Sequence, residues 1–256
     1  MQARVYTPAM QATGEFDGGN ITEQKPIGFP REGSVVKRVG PLFYWAWAVS
    51  AGGGEIGLHP HQGFEIMTYV IKGASAHGDT LGNDSEVGAG GVQVMQTGSG
   101  VSHRENIAAD SELFQIWFEP YLDEAITRPP TYRQYEHADF PVRQQPGVQV
   151  KTVIGEGAPI ELVAEASMWD IEVAPGASYA HLVRKGYTLT ALAVRGHGTW
   201  SNGGAGDPGT PFRHKDFILG NAEQDTEVVL GNAGGESMRL VLIEVPASVD
   251  YPLYRR

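Results

Sequence analysis

Residues 59 to 65 read HPHQGFE, with two histidines two positions apart and a glutamate four further on. Later in the chain, in GSGVSHREN, His103 and Glu105 again stand two apart. In a β-strand the side chains at i and i+2 project from one face, so each pair can aim at a single point. If the two strands lie side by side, three imidazoles and a carboxylate converge. That mixed nitrogen and oxygen set suits Fe(II), Ni(II), Cu(II), Mn(II) or Zn(II). Pro60 has no N–H to give to a ladder and suits a strand edge or start. Glu65 has the parity of His59 and His61 and shares their face if the strand runs on without a bulge. Spacing leaves open whether Glu65 or Glu105 completes the set. His77, His137, His197 and His214 each stand alone in polar or glycine-containing contexts, and read as surface or hydrogen-bonded core histidines.

The chain contains no cysteine, so disulfides, thiolate ligands and a cysteine nucleophile are excluded, and any metal must be held by His, Asp or Glu. The formal charge of -11 and the lack of any Lys/Arg run argue against binding to nucleic acid or an anionic membrane, both of which need clustered cations. The opening MQARVYTPAMQATGEFDGG turns polar at once, unlike a signal peptide. No later stretch reaches the ~18 apolar residues of a membrane span. The expectation is a cytoplasmic protein with neither a nucleic-acid nor a membrane partner.

The elements that must position these residues are strands. Glycine and proline separate short runs rich in Val, Ile, Phe, Tyr and Trp, such as LFYWAWAV (42 to 49), EIMTYVIKG (65 to 73), ELFQIWFEP (112 to 120) and MRLVLIEVP (238 to 246). This punctuation predicts an antiparallel β-sandwich or barrel. The best short helix candidates lie near 121 to 126 and 135 to 139. Residues 120 to 149 are rich in proline and charge, which places a domain boundary there. YVIKG (69 to 73) and LAVRG (192 to 196) are alike, which suggests two copies of one β-barrel, residues 1–135 and 136–256. Aligning them puts Leu182, Arg184 and Thr188 where His59, His61 and Glu65 stand, so the second barrel is expected to lack metal. Met67, Met95, Gln115 and Trp117 are candidates to line the first barrel, with ordinary core roles expected for the apolar three.

Taken together, HPHQGFEIMTYVIKG, HGDTLGN, VQVMQTGSGVSHRE, FQIWFEP and PPTYRQY resemble the pirin family, a group of bicupins, in order from about residue 56 to 135. Gly53, His59, His61 and Glu65 fit the spacing of a first cupin motif. The second departs from it, with Ile107 four residues after His103 where cupins carry Asn, and Glu105 two after, as in pirins. The resemblance implies a mainly-β fold of two cupin-type antiparallel β-barrels. It also implies His59, His61, His103 and Glu105 as ligands of one divalent transition metal, with Fe(II) foremost and Ni, Mn, Co, Cu or Zn as alternatives. The implied activity is a dioxygenase that opens quercetin-type flavonols with O2, with Glu105 or nearby Glu65 taking the flavonol proton. The alternative is a metal-binding regulatory protein acting through a protein partner.

Overall fold

A computed structural model describes residues 1–202 and 207–254. The chain divides into two compact units. The first comprises Gln11–Asp139, with Leu162–Ala164 and the C-terminal residues from Val249. The second comprises Met1–Met10, Phe140–Glu161 and Glu165–Ser248. Strand β1 (Arg4–Tyr6) belongs to the second unit. The first holds β2 (Ala12–Phe16), β3 (Ile21–Ile27), β4 (Leu42–His61), β5 (Glu65–Lys72), β6 (Ala74–Asp79), β7 (Asp84–Gly88), β8 (Val92–Gln96), β9 (Val101–Phe118) and β10 (Thr131–Tyr135). Between β9 and β10 lies the single-turn helix α1 (Leu122–Ala125), and a turn of 3-10 helix follows at His137–Asp139. These are the two places where the sequence suggested helix.

In the first unit the sheet order is β10-β8-β5-β9-β4-β3-β2, and β9 also carries β6, which pairs with β7. All of these pairings are antiparallel. The β4 to β9 ladder is its spine. The apolar start of β4 pairs with the end of β9, where Trp45 and Phe114 meet edge to face at 5.7 Å. Each of these two rings is fully buried, which stabilises the fold by roughly 1.5–3 kcal/mol relative to exposure. Beyond Ser50 the same two strands run on as HPH and SHREN, carrying the histidines away from the packed aromatics. Between β7 and β10 side chains bridge the gap: Ser85 Oγ lies 2.8 Å from Tyr132 Oη, and Gln134 Nε2 donates to the Glu86 carbonyl at 2.7 Å.

The second unit contains β11 (Val142–Gln145), β12 (Val148–Ile154), β13 (Ser167–Val173), β14 (Ser178–Val183), β15 (Tyr187–Arg195), β16 (Gly198–Ser201), β17 (Thr210–Phe212), β18 (Phe217–Asn221), β19 (Thr226–Gly231) and β20 (Met238–Pro246). One sheet has the order β1-β18-β15-β20-β13-β12-β11 and the other β14-β19-β16-β17. Inward side chains of both, among them Val150, Ile171, Trp200, Phe212, Leu230 and Leu242, form one core. This is a sandwich, as face-to-face apolar sheets require. The mainly-β antiparallel expectation holds, with the strands gathered into open sheets rather than barrels closed by backbone hydrogen bonds. Among the described residues no helix is long and apolar enough to cross a membrane.

Candidate metal centre

Residues 101 to 107, VSHRENI, alternate between more and less buried positions along β9, and His103 and Glu105 both point inward. On β4, His59 and His61 are half-buried while Leu58 and Pro60 are exposed. The two strands pair so that His59 stands directly opposite His103 and His61 opposite Val101. A register shift between Ile56 and His59 produces this match. Ile56 opposes Glu105, so an unbroken ladder would put His59 opposite Ser102, on the outer face. The extra residue at Gly57–Leu58 re-aims His59 inward, as a β-bulge does.

His59, His61 and His103 each offer a ring nitrogen, and these donor atoms all lie within 4.8 Å of one another. Among the described residues this is the only group of three or more His, Cys, Asp or Glu side chains gathered so closely. The ring centroids are 4.4 Å apart for His59 and His103, 4.7 Å for His59 and His61, and 4.9 Å for His61 and His103. His59 Nδ1 lies 2.8 Å from the Gly57 carbonyl. A carbonyl can only accept, so Nδ1 carries the proton and Nε2 presents its lone pair, the tautomer a metal-ligating imidazole needs. His61 Nε2 and both ring nitrogens of His103 are buried without a hydrogen-bond partner. Buried polar atoms are normally satisfied. Lone pairs left free in this way and aimed together are what a divalent cation would use, so the residues fit a metal.

Burial, reinforced by the neighbouring imidazoles, lowers the pKa of His103 to about 2 and that of His61 to about 4. In the unfolded chain both protonate near 6.5. As pH falls the unfolded state therefore binds protons first. The stability these neutral rings contribute is complete above about pH 6.5 and declines as pH falls, toward about pH 4 for His61 and about pH 2 for His103, at up to ~1.4 kcal/mol per pH unit for each histidine. Glu105, whose pKa burial raises to about 7, works in the opposite sense, so the comparison is with His103→Ala. Between about pH 7.5 and pH 5 the denaturant midpoint of the metal-free unsubstituted protein should fall by more than that of His103→Ala. An equal change in the two proteins would mean that folding does not shield the His103 ring.

Glu105 is 6% exposed, and burial raises its pKa to about 7. Its Oε1 accepts from Thr68 Oγ1 at 3.3 Å and from Gln115 Nε2. Its carboxylate lies outside the close histidine group. Glu65 is elsewhere. β4 ends at His61, the chain turns at Gly63 (φ +83°), and β5 starts at Glu65. The strand continuity that would have put Glu65 on the face of His59 and His61 is therefore absent. Its carboxylate, 2% exposed, accepts from Gln96 Nε2 at 2.7 Å and from the backbone N–H groups of Val163 and Ala164 at 2.7 and 2.8 Å. These bonds give Glu65 a structural task.

His77, read from sequence as an isolated histidine, is buried beside the centre with its ring 5.3 Å from that of His103. It stacks on Tyr132 at 4.1 Å and its Nε2 lies 2.9 Å from Asp79 Oδ2. The signal was available in the i, i+2 spacing of His77 and Asp79, which puts both on the inner face of one strand. Ile66, Met95 and Val101, with Phe64, Trp117 and Tyr132 packed against them, form an apolar and aromatic wall. Trp117 meets the His61 ring edge to face at 4.8 Å. Met67 is an ordinary core residue. Pro60, His61, Gln62, Thr80 and Ser99 line an open surface depression that includes His61 but neither His59 nor His103.

In the second unit His181 Nε2 lies 3.0 Å from Glu244 Oε2 and its Nδ1 3.3 Å from Tyr179 Oη, so both ring nitrogens have partners.

The family model described as Pirin matches residues 45–118, the span from β4 to β9 that carries the histidines. A protein of Pseudomonas aeruginosa named "Putative quercetin 2,3-dioxygenase" is 32% identical over 200 residues, covering 75% of this chain and 82% of its own. The chain belongs to the pirin family. A solved structure of the bacterial pirin YhhW from Escherichia coli in complex with nickel(II) superposes with a TM-score of 0.76 at 20% identity, covering 96% of this chain and 99% of that one. The likeness in fold extends through both units, each of which is a cupin-type β-sandwich, as expected of a bicupin pirin. Pirin-like protein 2 of Arabidopsis thaliana is 28% identical over 193 residues. The chain spans 59% of that protein's length, and 54% and 63% of two further plant relatives.

Proposed function

We propose that this pirin holds one divalent transition metal on His59, His61, His103 and Glu105, and that it opens quercetin-type flavonols with O2, both oxygen atoms passing to the products. Fe(II) is the metal to try first, with Ni, Mn, Co, Cu and Zn as alternatives. The observation that carries the reading is the set of three imidazoles with unpartnered nitrogens facing one point. Names borne by relatives, quercetin 2,3-dioxygenase in Escherichia coli among them, support the substrate class. We place the reaction in the cytoplasm, in the metal-binding half at residues 1–135, with 136–256 as a second cupin-type half without metal.

When bound, a redox-active metal supplies Lewis acidity and electron transfer towards dioxygen. The chain supplies the rest. The wall of Phe64, Ile66, Met95 and Trp117 offers an aromatic substrate a dry face against which to lie. Glu105, a buried carboxylate two residues from His103 on β9, is the group that takes the flavonol hydroxyl proton as it loosens from the metal. Gln115 and Thr68 hold its carboxylate in place while it does so.

The test is turnover by untagged protein stripped of metal and reconstituted with each ion in turn. O2-dependent loss of the quercetin absorption band should exceed the free-metal control and vanish in His59→Ala. If no reconstituted form turns over a flavonol while a stoichiometric protein partner is recovered with the metal-loaded protein, the regulatory reading replaces this one.

A further inference from the structure

Gln115 lies on β9, opposite Ala46 of β4 and Thr68 of β5, and is 8% exposed. Its Oε1 receives the indole Nε1–H of Trp117 at 3.1 Å. An indole nitrogen can only donate, which fixes the amide the other way round at its far end. Nε2 therefore faces Glu105 Oε1, and it also reaches Thr68 Oγ1 at 3.2 Å. Thr68 Oγ1 donates to the same Oε1 of Glu105. Trp117 in turn is set by Phe29, Phe43 and Tyr44 around it and by the edge of His61. An unbroken series of contacts thus runs from His61 through Trp117 and Gln115 to Glu105. Both recorded bonds to the carboxylate fall on one oxygen.

We infer that Gln115 is a positioning residue for the metal centre: locked by Trp117, it occupies Glu105 Oε1 and so leaves Oε2 as the oxygen available to a cation. The carboxylate then ligates through one atom, in an orientation tied to the ring of His61. The inference rests on the proposed metal site and adds to it the group that sets how Glu105 joins. Residues that orient a ligand in this way are commonly worth 10–100-fold in metal affinity.

Co(II) is the probe, with its visible absorption reporting the ligand set and chelator competition reporting affinity. Gln115→Leu, close in volume, should weaken Co(II) binding about 10–100-fold and alter the visible band. Trp117→Phe keeps a ring beside His61 but removes the indole N–H, and should shift both readouts in the same direction by less. In a Glu105→Ala background, Gln115→Leu should add no further loss, because the carboxylate it positions is already gone. A general structural role would predict the same loss in both backgrounds, and that result overturns the inference, as does unchanged Co(II) affinity and absorption in both single variants. Should Gln115→Leu fail to fold, Trp117→Phe with and without Glu105→Ala gives the same decision. If the unsubstituted protein binds Co(II) no better than His103→Ala, the metal site itself fails and this inference with it. If binding depends on His103 but not on Gln115, only the inference fails.

Discussion

His103→Ala is expected to reduce metal content, measured by elemental analysis after equilibration with Fe(II) or Ni(II), from stoichiometric to near zero. The structure concentrates the donor set on this residue: His103 is 2% exposed, directly opposite His59, and neither of its ring nitrogens has a hydrogen-bond partner. Without it the four proposed donors fall to His59, His61 and Glu105, whose carboxylate lies outside the close histidine group, so affinity should fall steeply. Thermal unfolding provides an independent readout. Metal at about 100 times its Kd stabilises the folded protein by ~2.7 kcal/mol, which for a chain of this size raises Tm by roughly 5–10 °C. His103→Ala should lose that rise. Its metal-free Tm should stay close to that of the unsubstituted protein, because losing the ring's packing is offset by removing two unsatisfied buried nitrogens. A variant that keeps both full metal content and the thermal shift would remove His103 from the centre.

Glu105→Gln is expected to separate binding from turnover. The amide has the size of the carboxylate and can still accept from Thr68 and Gln115, so the fold and the three imidazoles are preserved. What goes is the negative charge and the capacity to take a proton. Metal should remain bound with reduced affinity, while flavonol turnover falls about 10²–10⁴-fold, the usual worth of a positioned base. Turnover at the unsubstituted rate in Glu105→Gln, with metal present, would mean that the proton leaves by another route. The neighbouring substitution Glu65→Gln should leave metal content unchanged, since Glu65 is committed to Gln96 and to the N–H groups of Val163 and Ala164.

Much of this centre was legible in the sequence, and for a definable reason. The strand period is two and local, so HPH and SHRE announce pairs that share a face without knowledge of the fold. The alternation of burial from Val101 to Ile107 follows the same rule. The apolar runs and glycine turns likewise fixed the mainly-β class, since these segments bury enough surface only as paired strands. Trp117 and Gln115 were recognisable as barrel residues, but not as parts of one hydrogen-bonded series, because that depends on which way an amide is turned.

Tertiary structure decided three matters that no local period encodes. Whether His59 faces His103 or the solvent turns on a single extra residue at Gly57–Leu58, and a bulge is defined by the partner strand rather than by its own sequence. Glu65 kept the right parity but lost the right face because the chain reverses at Gly63, after which its position is set by a new strand and by residues a hundred positions away. His77 looked isolated along the chain and stands beside His103, since β6 is laid against β9 by pairing across the sheet. The sequence by itself determined which side chains are able to bind a metal. Only the pairing of distant strands determined which of them meet, because a donor set is a property of one point in space and the chain reaches that point from β4 and β9.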